Sequence, residues 1–155
     1  MKFAMNGALT IGTLDGANVE IREAVGDEHF FLFGLTAWQV RDRKAAGYRP
    51  RDIYETNPVL RDVIDFISSG AIARGDTSLF RPLVDNLLGS DPFLVLADFP
   101  AYLDSQAAVD ARWRTPVAWT RSAILNVARM GRFSSDRAIR AYCERVWMVK
   151  PVSAD

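Results

Sequence analysis

The first 21 residues read MKFAMNGALTIGTLDGANVEI (Met1 to Ile21). Inside them ALTIGT (Ala8 to Thr13) is short, apolar and β-branched, the composition of a buried strand, and Asp15-Gly16 behind it is a turn pair. A short helix is expected to start at Asn18-Val19-Glu20-Ile21, with Asn18 as its N-cap. HFFLFG (His29 to Gly34) is a second apolar run and FLVLAD (Phe93 to Asp98) a third. Continuously apolar strands separated by helical segments imply a parallel sheet covered on both faces.

Most of the remainder reads as helix. Asn57-Pro58 is a cap followed by proline at the first helical position. Val59, Leu60, Val63, Ile64 and Ile67 then repeat at helical spacing until Gly70. Leu79, Leu83, Val84, Leu87 and Leu88 form a second stripe that ends at Gly89. Thr115-Pro116 opens a third helix carrying Trp119, Ala123, Leu125 and Val127 before Gly131. Ser134-Ser135-Asp136 opens the last, with Ile139, Tyr142, Cys143, Val146 and Trp147 on one face and Pro151 at its close. The expectation is a helix-rich α/β unit over residues 1–155, with two or three short parallel strands and six or seven helices. So little sheet cannot cover that many apolar helix faces.

At 155 residues, 49% hydrophobic and 25% charged, the composition is that of an ordinary soluble domain. Zero net charge excludes an overall field that would recruit nucleic acid or an anionic membrane. Residues 111–150 nevertheless hold nine Lys/Arg against two acids, Asp136 and Glu144. That stretch is either a solvated helix face or a surface that docks on an acidic neighbour. Cys143 is the only cysteine, so no intrachain disulfide can form, in keeping with a reducing, cytoplasmic setting. No apolar run approaches the roughly 20 residues that span a bilayer.

Few residues suggest chemistry on their own. His29 is the only histidine and stands beside two phenylalanines, where a structural role is expected, and no Cys/His cluster has metal-ligand spacing. Asp15, Glu20 and Glu23 read as turn and cap residues. Ser134-Ser135-Asp136-Arg137 is either an N-cap or an anion site at a helix N-terminus. No glycine-rich phosphate loop of the dinucleotide or Walker type occurs.

Lys2, one of only three lysines, is different because of the company it keeps. Met1-Lys2-Phe3, Asn6 to Thr13 and Asp15 to Glu20 stand in the order MKF, NGALTIGT, DGANVE. FFLFG (Phe30 to Gly34), Gly47-Tyr48, Leu79-Phe80, FLVLAD, Trp119-Thr120-Arg121 and RFSSDRAI (Arg132 to Ile139) with Trp147 follow. This series resembles the glycogen (alpha-glucan) phosphorylases over essentially the whole chain.

The resemblance implies that Lys2 holds pyridoxal 5′-phosphate, because in that family the lysine of MKF carries it as a Schiff base, which needs a primary amine. It implies phosphorolysis of a terminal α-1,4-glucosyl bond to glucose 1-phosphate with retention, the cofactor phosphate exchanging a proton with inorganic phosphate. The fold implied is the C-terminal part of the cofactor domain of a GT-B enzyme. Residues 1–110 would belong to its Rossmann-like part, and residues 111–155 would be helices that cross back to the N-terminal domain. The family's glycine-rich phosphate cradle, its other cationic phosphate ligands and its glucose-binding residues lie upstream of MKF. The chain alone is therefore expected to be inactive, with the cofactor absent or weakly held. It is also expected to self-associate through uncovered edges and apolar patches. The alternatives are a stand-alone, non-enzymatic module that pairs with another chain, and a residual pyridoxal-binding protein that uses Lys2 alone.

Overall fold

The computed structural model describes residues 1–150 and 152, so the expected stop at Pro151 lies outside the described residues. The chain is a helix-rich α/β protein that divides into two compact units. Unit one comprises residues 1–11, 16–31 and 108–155, and unit two residues 12–15 and 32–107.

Unit one contains most of the opening stretch. α1 (Lys2–Met5) is a single turn, β1 spans Thr10–Gly12, α2 spans Ala17–Val25 and β2 spans Phe30–Leu32. β1 and β2 pair in a two-stranded parallel sheet with α2 as the crossover. The N-cap of α2 falls two residues before the expected position. Gly16, with φ of 48°, takes the N-cap place assigned to Asn18, because the reversal out of the Asp15-Gly16 turn needs a left-handed residue. Ile21 and Val25, four residues apart, fall on one face of α2 and are buried. They meet Ala4 of α1, Phe30 of β2 and Met130 in one apolar cluster. α8 (Pro116–Arg129) packs against both α1 and α2.

The inner face of α8 is not the one expected. Ser122 and Asn126 are its fully buried residues, whereas Val127 and Ile124 are more than half exposed. Trp119, Ala123 and Leu125 of the expected stripe are part-buried and only Val127 is exposed, so the stripe flanks a buried line of small polar side chains. The last segment departs further from expectation. α9 (Ser135–Tyr142) gives way to a π-helical turn, Cys143–Trp147, and Ile139, Tyr142, Val146 and Trp147 all remain more than half exposed.

Unit two is helical. α3 (Ala37–Ala45) opens with a capping box between Thr36 and Gln39. α4 (Pro50–Thr56), α5 (Pro58–Ser68), α6 (Arg81–Gly89) and the first part of α7 (Val95–Trp113) follow. The Asn57 cap is present as expected: its side chain accepts from the Leu60 amide at 3.0 Å. Leu60, Ile64, Val84 and Leu96 form the core, so the stripes on α5 and α6 do face inward.

FLVLAD is not a strand. Its last four residues begin α7, because the Asp91 carboxylate accepts from the Val95 and Leu96 amides, both at 2.9 Å. Two free amides of a first turn are thus satisfied by one side chain, and the helix starts where an apolar run alone reads as β.

Gly34, with φ of +81°, sits against α7. A Cβ there would lie 2.7 Å from Asp98 Oδ2 and 2.9 Å from Thr13 Cγ2. Gly34→Ala is expected to cost about 2–4 kcal/mol, from left-handed strain plus overpacking. Chemical denaturation would read this, and an unchanged midpoint would refute it.

Candidate functional site

Lys2 is the first residue of α1 and is exposed. α1 is held in place from its other side. Ala4 is buried in the unit-one core, and Asn6 Nδ2 donates to the Lys2 carbonyl at 2.8 Å. Gly7 leaves the helix at φ +86°, where an added Cβ would lie 3.6 Å from Ala123 and Val127 of α8. The lysine therefore projects from a short, anchored turn. Lys44, by contrast, is engaged, its Nζ donating to the Pro92 carbonyl at 2.7 Å.

The other residues singled out in the sequence are not brought to Lys2. His29 is buried, with Nδ1 2.9 Å from Ser122 Oγ and Nε2 2.8 Å from Glu28 Oε1. Arg112 donates to Ser122 Oγ at 3.0 Å and to the Glu28 carbonyl at 2.9 Å. A serine, a histidine and a glutamate in series resemble a hydrolytic relay. Ser122, however, has no accessible surface and its hydroxyl donates to the Ala118 carbonyl, so no substrate reaches it. The group is a polar clamp that ties the entry to β2 onto α8.

Sequence reasoning placed His29 in a structural role, and the structure supplies its partners. It missed Ser122 and Arg112, which carry no local signal because their partners lie some 90 residues away. Ser122→Ala is expected to cost about 2–3 kcal/mol, since buried His29 Nδ1 would lose its partner and half-buried Arg112 one of its bonds. A urea titration of the variant is the check.

Among the described residues no group of His, Cys, Asp and Glu could hold a metal ion. Glu20 and Asp15 are exposed, and Glu23 lies on α2 beside Arg22, whose guanidinium pairs with Asp27 at 2.7 Å. Ser134 accepts from the Arg137 amide at 3.2 Å and is thus an N-cap. Cys143 is half-buried in the π-helical turn. No described helix is long and apolar enough to cross a membrane.

The family model for carbohydrate phosphorylases matches residues 1–149. The chain is 60% identical over 152 residues to a glycogen phosphorylase of Synechocystis, covering 98% of this chain and 18% of that protein. It is 47% identical to a glycogen phosphorylase of Pasteurella multocida, covering 98% of this chain and 19% of the relative. It is 46% identical to the brain form from Rattus norvegicus, covering 97% and 18%. The chain thus spans about a fifth of the length of the relatives it matches, and over that span it belongs to the carbohydrate phosphorylase family.

Proposed function

We propose that this chain is the C-terminal portion of a pyridoxal-phosphate-dependent α-1,4-glucan phosphorylase, with Lys2 as the cofactor tether. The observation that carries the reading is the near-complete family match by a chain only 18% as long as its relative.

Its surface supports the same reading. The accessible area is 10853 Å² for 17.3 kDa. A single globule of that mass exposes about 7,800 Å², and two separate half-mass globules about 9,400 Å². Either way there is surplus surface, much of it apolar: Val117 on α8 is 82% exposed and Met148 79%. Surface of that kind fits faces that pack against further polypeptide.

The residues present fit the cofactor at the tether. Lys2 offers an exposed primary amine at the end of a turn that Ala4 and Asn6 fix in place. When bound, the cofactor supplies a phosphate that exchanges a proton with inorganic phosphate. Lys2 would hold it, and α8 would set where the tether points. The phosphate cradle and the glucan site would come from the remaining polypeptide. Alone, the chain is inactive in this reading, because catalysis of this kind rests on several positioned charges and the loss of each costs on the order of 10²–10³ in rate.

The test is the mass of the endogenous polypeptide that carries this sequence. A species several times heavier than 17.3 kDa is expected. A 17.3 kDa species would overturn the reading in favour of a stand-alone module.

A further inference from the structure

Unit two holds a cleft of about 540 Å³, within the range of small-molecule sites. Phe33, Phe93, Phe99 and Tyr102 contribute rings to it, and Asp15 and Asp98 contribute carboxylates. Phe33 and Tyr102 meet edge to face at 5.3 Å. Among the described residues no lysine or arginine lines the cleft.

Two details distinguish it from a chance depression. Phe93 is 82% exposed at the rim, carried by a loop in which Asp91 and Leu94 take φ of 35° and 56°. A left-handed leucine is strained, and Leu94 is held so by complete burial. Asp98 Oδ1 accepts from the Leu35 amide at 2.9 Å, while Oδ2 lies so near Gly34 that a side chain there would block it. Burial raises the Asp98 carboxyl above the usual range. The Leu35 bond opposes that shift, Asp91 adds to it and Arg43 opposes it.

These features select a ligand. Two carboxylates without a lining cation repel phosphates and carboxylates. Rings and aliphatic groups make up most of the remaining lining and favour a flat apolar face. A flat ring bearing an ammonium satisfies both halves, by stacking on the aromatic walls and by a charge-assisted bond to a carboxylate. We propose that this cleft binds a small aromatic amine, its ring among Phe33, Phe93 and Tyr102 and its ammonium on Asp98. This site is independent of the tether at Lys2 and of phosphorolysis.

The test uses the full 155-residue chain, isotopically labelled, titrated with tryptamine and with indole-3-propionate, which carries the opposite charge. Tryptamine is expected to shift the Gly34, Leu35 and Phe93 amides saturably and to bind at least roughly tenfold tighter than the acid. Asp98→Asn is expected to erase that preference, and Phe93→Ala, at an exposed rim position, to weaken both ligands without loss of fold. Equal binding of the two probes, or no saturable shift at those amides, would overturn the proposal.

Asp98→Asn also has a stability readout that guards against misfolding. A carboxyl with a raised folded-state pKa stabilises fully below its unfolded pKa, and that contribution is lost as pH rises through the folded value. Asparagine imitates the uncharged carboxyl and keeps an acceptor for the Leu35 amide. The variant should therefore melt at or above the parent at pH 7 and lose that advantage in acid. Tryptamine affinity in the parent should fall as pH drops through the raised Asp98 value.

Discussion

Asp91→Ala is expected to destabilise unit two by about 3–5 kcal/mol and to lower the melting temperature by on the order of 10 °C or more. The residue is 1% exposed, and its carboxylate serves three donors at once. These are the Val95 and Leu96 amides at 2.9 Å and the Tyr48 hydroxyl at 2.7 Å. Burial, reinforced by the bond to Asp91, pushes the Tyr48 phenol far above its ordinary value, so it stays a donor throughout the accessible pH range.

Alanine would strand all three donors and would also have to adopt φ of 35°, which asparagine and aspartate tolerate better. Asp91→Asn keeps an acceptor and the backbone preference, and should recover about half of the loss. Thermal melts of the two variants check both numbers. If the alanine variant melts within 2–3 °C of the parent, a loss of under about 1 kcal/mol, the cap does not hold the start of α7.

Lys2→Ala, made in the longest polypeptide that carries this sequence, is expected to reduce phosphorolysis by roughly 10³-fold or more, because no other residue of α1 offers an amine. Lys2→Arg should fare no better, since a guanidinium keeps the charge but cannot form the tether. The same substitutions should leave the melting temperature of the 155-residue chain unchanged, because Lys2 is exposed and only its carbonyl is engaged. That contrast separates a tether from a structural lysine. Borohydride reduction followed by peptide mapping supplies a readout besides activity, with label expected on the peptide containing Lys2. Phosphorolysis retained in Lys2→Ala would remove Lys2 from the site.

The parts legible in sequence were those fixed by chemistry close along the chain. Asn57-Pro58 opens α5, Ser134 caps α9, and the alternation of apolar run, turn and helix gives β1, α2 and β2. The order of motifs from Lys2 to Trp147 identifies the family without reference to any coordinate. The misread parts were those where a distant partner outweighs the local pattern. FLVLAD has strand composition, yet Asp91 caps it into α7 and Tyr48, 43 residues earlier, holds that cap. The stripe of α9 stays largely exposed, that of α8 is part-buried apart from Val127, and the fully buried residues of α8 are Ser122 and Asn126.

The amino-acid sequence by itself determined the family, the place of Lys2 at the head of its motif and the helix-rich character of the chain. The family follows from the resemblance of its ordered motifs, and the helical character is legible because turns, caps and periodicity act over a few residues. Only the tertiary structure decided which helix faces are inside, how His29 is satisfied, and that four rings and two carboxylates share one cleft. Those outcomes depend on groups far apart in the chain meeting in a common, poorly hydrated space. There the cost of an unpaired donor or charge exceeds any local preference.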